Sequence, residues 1–248
     1  MPYRVNVATA VVLGFNLKKP PMDSPWFRKA IDVLIDKRQI LKSLGEEGVI
    51  EASGFVPYGA LGYLDQLKNH SPDNQLAKKY FSLAGFRSIE SIPKLTLHTS
   101  NKNKWIDEIV SQLTSAGLRI ELQRVSFPDL MSSLQENNIN LFIIGIQLNQ
   151  PETYHLLEYF KSDYPLTAFN AHSPQFDQLL EGSQNISDRL QRGKIYQEAN
   201  KLIFENTWVS NLYHRSYGTG YIKKKFKMPV INYLGPEFMH LRDVQVMP

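Results

Sequence analysis

LGFNLKKPPMDSPWFRKAIDVLIDKRQI, residues Leu13 to Ile40, carries most of the punctuation that decides how this chain folds. The Val-rich, loosely alternating stretch from Tyr3 to Asn16 predicts one or two strands. Pro20-Pro21 stops it. Asp23 or Ser24 then caps a helix with Pro25 at its first position, where a missing N–H is harmless. Trp26, Phe27, Ala30, Ile31, Leu34 and Ile35 recur at helical spacing and predict a buried stripe. Asp36-Lys37-Arg38 interrupts the helix, and a second short one follows from Arg38 to about Leu44. Gly45 ends it.

Outward from this block, strands and helices alternate. Glu51 to Tyr63 is a loop punctuated by Gly54, Pro57, Gly59 and Gly62. Ser71-Pro72 opens a helix carrying Leu76, Ala77, Tyr80, Phe81 and Ala84, with Gly85 as its left-handed stop. Lys94–Thr99, Lys104–Ala116 and Leu118–Val125 read as strand, helix and strand, a crossover long enough for parallel pairing. A helix from Pro128 to Gln135 leads to the continuously apolar strand Asn140–Ile146, which suits burial on both faces. Further helices are predicted over Pro151–Phe160, Ser173–Glu181 and Ser187–Glu205. The last is expected to turn Leu190, Ile195, Ala199, Leu202 and Ile203 inward. Trp208–His214 is a strand, and the tail from Tyr217 to Pro248 has few periodic segments.

Composition narrows the function classes. The balance of 28 Lys+Arg against 24 Asp+Glu leaves +4, spread along the chain, with Lys223–Lys227 as the single basic run. That is weak support for nucleic-acid binding. The absence of cysteine excludes disulfides, zinc-thiolate sites and cysteine nucleophiles. No apolar run approaches the ~18 residues of a membrane span. Met1–Phe15 does not read as a signal peptide, because Asn6 and Thr9 interrupt its apolar stretch. The six histidines show no i,i+3 or i,i+4 pairing, so no metal site and no cofactor is expected. Gly-x-Ser-x-Gly, P-loop and His-Glu-x-x-His patterns are absent, which points away from an enzyme.

Several pieces in one order resemble a known family. They are Phe15-Asn16 with Lys19-Pro20-Pro21, the Ile-Asp helix, and Ala84-Gly85-Phe86. The LFIIG strand, Ser173-Pro174-Gln175-Phe176-Asp177, the long helix before Leu212-Tyr213-His214, and the closing Arg242-Asp243-Val244 follow. Together they resemble the extracellular solute-binding proteins, family 5, receptors of bacterial peptide and nickel ABC importers. The resemblance implies an α/β, type II periplasmic-binding-protein-like fold. This chain would be its C-terminal lobe, a mixed sheet flanked by helices. Residues 1–12 would then be a remnant of the first lobe and the hinge entry, 13–216 the ligand-binding lobe, and 217–248 the return segment.

The same resemblance implies capture of a peptide or similar small solute, in a periplasmic or other extracytoplasmic, membrane-associated setting, for an ABC permease. Family peptide receptors place a Gly-Trp-x-x-Asp turn after the buried strand, where the carboxylate grips the peptide ammonium. The matching residues are Gly145, Ile146, Gln147 and Asn149, expected to bind ligand. Ile146 replaces the Trp wall, and Asn149 supplies an amide without a countercharge. Asn149 is either a ligand contact or a turn residue tolerating unusual dihedrals. Two other readings stay open: the sensing region of a cytoplasmic transcription regulator, or an interaction module that has lost its solute. His214 reads as a structural residue or a ligand.

Overall fold

The computed structural model describes residues 3–45, 49–148, 152–165, 169–219, 226–227 and 245–246. Its centre is a six-stranded mixed sheet in the order β2-β6-β1-β5-β3-β4. The strands are β1 (Tyr3–Phe15), β2 (Val49–Glu51), β3 (Leu95–Thr99), β4 (Ile120–Arg124), β5 (Leu141–Gln147) and β6 (Val209–Thr219). β7 (Phe226–Lys227) and β8 (Gln245–Val246) pair separately. Helices α1 (Pro25–Leu34), α2 (Lys37–Leu44), α3 (Asn74–Leu83) and α4 (Trp105–Ser115) bury residues in the core on one face of the sheet. Helices α5 (Phe127–Gln135), α6 (Tyr154–Leu157), α7 (Pro174–Gln184) and α8 (Arg189–Glu205) do so on the other. Strand alternation divides the two cores: Val11, Leu13 and Phe15 face the first, while Ala10 and Val12 face the second.

β1 is one unbroken strand that pairs antiparallel with β6 on one side and β5 on the other. It passes through residue 12 without a break, and its pairing with β5 begins at Thr9. A register shift between Val11 and Val12 leaves Leu212 as an extra residue on β6, a bulge that strengthens local twist. Gly14 sits under the rings of Phe142 and Phe169. A Cβ there would come within 2.4 Å of the Phe142 ring and 2.9 Å of Phe169.

The Leu13–Ile40 block is held by buried polar side chains. Ser24 caps α1 and Asp36 caps α2, each accepting a bond from a backbone N–H three residues on. Gly45 closes α2 in the left-handed region at φ 60°. The Asn16 side-chain amide donates to Ile139 O at 2.8 Å and to Asn137 Oδ1, and accepts from Asn170. Asp32 accepts from Lys37 Nζ at 2.7 Å and from the Ser210 hydroxyl, so the helix grips β6. Arg28 sits among the α1 positions that face inward, only 5% exposed. Its guanidinium donates to the carbonyls of Met22, Asp23, Asn206 and Thr207 at 2.7–3.0 Å. Burial draws its pKa down to about 10, with Asp23 opposing the shift, so it stays charged at neutral pH.

Four local expectations change. Trp26 is 39% exposed, lying over Tyr80 at 5.6 Å with Lys29 on its ring, because it stands to one side of the Phe27–Ile31–Leu34 stripe. Leu190 is 77% exposed: the first turn of α8 overhangs the core, and Gly193, Tyr196 and Asn200 turn inward instead. The third helix starts at Asn74, capped by Asp73 rather than by Ser71. The helix expected over Pro151–Phe160 is α6 followed by a 3₁₀ turn at Glu158–Phe160.

Replacing Arg28 with Met leaves four carbonyls at the α1 and α8 ends without their donor. Unfolding free energy should fall by about 2–4 kcal/mol. A lower urea midpoint at unchanged m-value checks this.

Candidate functional site

The three parallel strands β3, β4 and β5 set the position of the site. β3 pairs with both β4 and β5, so the chain moves one way from β3 to β4 and back the other way to β5. Crossovers of one hand therefore place α4 and α5 on opposite faces. The carboxyl ends of these parallel strands share one end of the sheet, the end at which α/β folds open their crevice.

A cleft of about 290 Å³ lies there. Its walls include Thr9 and Val11 of β1, Gly145 and Gln147 of β5, and Tyr213 and Arg215 of β6. Ser100 and Asn101 come from the loop after β3, and Phe127 from the start of α5, 57% exposed. Register explains the convergence: Thr9 stands opposite both Gln147 and Arg215, and Val11 opposite both Gly145 and Tyr213. Trp105, at the start of α4, meets Tyr213 edge-on with ring centroids 5.4 Å apart. Gly145 is exposed within the otherwise buried or half-buried strand β5. A Cβ added to it would meet only Val11 and Thr9 methyls at 3.6 and 3.7 Å. The glycine therefore leaves open space over the cleft rather than serving a steric need of the backbone.

Of the residues expected from sequence to bind ligand, Gly145 and Gln147 line this cleft. Ile146 does not: strand alternation turns it into the opposite core with Phe142 and Leu156, 4% exposed. Asn149 lies outside the described residues. The residues the sequence reading missed, Thr9, Ser100, Asn101 and Arg215, arrive from distant parts of the chain. The signal that could have found them is the carboxyl-end rule applied to β3 together with the pairing of β1 and β6. Two cavities of about 400 and 330 Å³ are larger. The first lies by Phe86 and Gly117, before β3 and β4, and the second by Pro93, Leu95 and Leu141. Both are at the amino ends of the strands, away from the crevice.

The loop beneath β6 is fixed by two buried residues. Asn200 accepts from the Phe55 and Val56 N–H groups at 2.8 and 3.3 Å and donates to Gly62 O at 3.2 Å. His214 is 3% exposed, with Nε2 3.2 Å from Gly54 O, so Nε2–H is the donor. Nδ1 has no partner, and burial pushes the imidazole pKa down to about 4. His214 is thus a neutral structural residue turned away from the cleft. Among the described residues no cluster of three or more His, Asp or Glu side chains could hold a metal ion.

Residues 3–167 match the family described as bacterial extracellular solute-binding proteins, family 5 Middle. The chain belongs to that family. It is 23% identical over 207 residues to a probable di/tripeptide-binding protein of Pseudomonas aeruginosa, covering 79% of this chain and 39% of that protein. Against the oligopeptide-binding protein OppA of Bacillus subtilis it is 22% identical over 210 residues, 80% of this chain and 38% of the relative. Among solved structures, HbpA2 from Haemophilus parasuis superposes with a TM-score of 0.85 at 19% identity, over 99% of this chain and 50% of that one. The Escherichia coli murein tripeptide binding protein MppA gives 0.81 at 22%, over 98% and 49%. The fold is that of type II periplasmic binding proteins, and this chain spans about two-fifths to one half of the length of these relatives.

The imidazole of His214 is neutral in the folded protein and takes up its proton more readily once unfolded. Stability is therefore full above pH 6.5 and lost as pH falls toward 4, by about 3 kcal/mol at about 1.4 kcal/mol per pKa unit. Urea titrations across that range should show a shallower loss for His214→Gln than for the parent chain.

Proposed function

We propose that this chain is the C-terminal gripping lobe of a two-lobed extracytoplasmic receptor. It captures a small peptide-like solute without chemical change and presents it to an ABC permease in the membrane. The observation that carries this reading is the opening over Gly145, at the carboxyl end of the central sheet, walled by strands from both ends of the chain. Relatives named for di/tripeptides, oligopeptides and murein tripeptide support the solute class.

β1 and β6 support the mechanical part. Beyond the point where β5 pairing begins, they continue as a two-stranded ribbon, Tyr3–Val5 against Tyr217–Thr219. A paired ribbon leaving the lobe beside the cleft is a hinge element about which a second lobe can close. Closure is driven only by contacts that the solute makes better in the closed state. One lobe supplies part of those contacts, so the isolated chain binds with low affinity. The expected division at residues 12 and 216 is shifted outward on this reading. The lobe takes in Thr9–Val12, and the link is the ribbon itself.

An NMR titration of the chain with trialanine at millimolar concentration should move the amide signals of Thr9, Gly145 and Gln147, while calorimetry detects no submicromolar binding. Gly145→Val should abolish those shifts and change unfolding free energy by no more than about 1 kcal/mol. Shifts confined to other parts of the chain, or unaffected by Gly145→Val, would overturn the reading.

A further inference from the structure

We propose that the outer face of α1 and α3, at the pole of the lobe opposite the crevice, seats the chain on an anionic lipid bilayer. Phe15 pairs with Leu141 at the amino end of β5, so α1 begins at that pole. Asp73, which caps α3, donates its N–H to Val33 O near the end of α1. The two helices therefore run antiparallel, and α3 ends beside the start of α1. There the Trp26 ring lies over Tyr80 with centroids 5.6 Å apart, and Lys29 Nζ stands 5.2 Å from the Trp26 ring centre. Leu83, one turn beyond Tyr80 and 51% exposed, extends the apolar surface. Lys78, Phe86 and Arg87 rim the cavity of about 400 Å³ at the amino ends of β3 and β4.

Four cations flank this apolar strip: Lys29, Lys78, Lys79 and Arg87. Among the described residues none of them is within ion-pair distance of a carboxylate. Of the acidic neighbours, Glu205 lies 3.8 Å from Lys201, and Asp23 acts on Arg28. Glu90, which accepts from Ser88 and attracts Lys78, is the one carboxylate among the cavity's lining residues. An indole, a phenol and a leucine beside ammonium and guanidinium groups match the boundary between lipid headgroups and acyl chains. The apolar bodies enter that boundary, and the cations meet its phosphates. A purely acidic soluble partner would satisfy the cations but leave Trp26 and Leu83 without an apolar surface to cover them. Seating at this pole leaves the crevice at the carboxyl ends of the strands open to solute.

Trp26 is a built-in reporter, since the other two tryptophans, Trp105 and Trp208, are buried. The full chain is mixed with vesicles of phosphatidylglycerol and phosphatidylcholine in equal parts, or of phosphatidylcholine alone, and followed by sedimentation and tryptophan emission. The anionic vesicles should bind it at least about tenfold more tightly than the neutral ones. They should also shift the emission to the blue and release the chain as salt is raised. Trp26→Gln should remove the emission shift. Lys78→Glu combined with Lys79→Glu should weaken sedimentation at least about tenfold. Unchanged urea midpoints report that each variant is folded. Equal binding to neutral vesicles overturns the inference, as does binding that survives both variants, through Lys223–Lys227 for example. Displacement from the vesicles by soluble polyglutamate at equal total charge also overturns it, in favour of an acidic protein partner. If neither vesicle binds, the inference fails and the solute reading at the opposite pole stands.

Discussion

Pairing of β1 with β6 is the constraint on which the rest of the structure depends. These strands lie far apart in the chain, and their ladder closes the longest loop among the described strand pairs. Once paired, they provide the surface on which β5 adds on one side and β2 on the other. The parallel set β5-β3-β4 then follows with its helices. The same pairing fixes the site, because it places Thr9, Val11, Tyr213 and Arg215 in two adjacent rows beside Gly145 and Gln147. Fold and cleft are therefore consequences of one register.

Buried polar groups specify that register where apolar packing alone would tolerate alternatives. Arg28 joins the start of α1 to the end of α8, just before β6 begins. Asp32 reaches Ser210 on β6 itself, and Asn16, Asn137 and Asn170 bind one another at the far end of β1. Asn137 and Asn170 both adopt left-handed backbone, φ 59° and 51°, a conformation asparagine tolerates better than most residues. His214 and Asn200 tie the Glu51–Tyr63 loop to β6 and α8. Asn16, Arg28 and Asp32 belong to the Leu13–Ile40 block, and their work is structural. The polar residues that line the cleft sit at the other end of the sheet.

The difference explains what could be read without coordinates. Capping residues, Gly stops and 3.6-residue stripes are local, so α1, α2, α4, α5 and α8 were legible to within a few residues, as were β3, β4 and β5. Trp26 and Leu190 were misjudged because exposure at a helix end depends on how far the neighbouring layer extends, which spacing does not encode. Nothing local marks Arg28 as buried, because the carbonyls it meets at the end of α8 lie far away in sequence. At the cleft, Gly145 and Gln147 were singled out only through the family resemblance, and both line it. Strand alternation turned Ile146 to the other core. Thr9, Asn101 and Arg215 were not legible, since only the pairing of distant strands brings them together.

The account stands on the claim that solute meets this lobe at the carboxyl ends of β3 and β5. The most direct measurement is a crystal structure of the chain soaked with trialanine. The account predicts density against Gly145 and Gln147. Density instead in the larger cavity by Phe86 and Gly117, with the crevice over Gly145 empty, would contradict it.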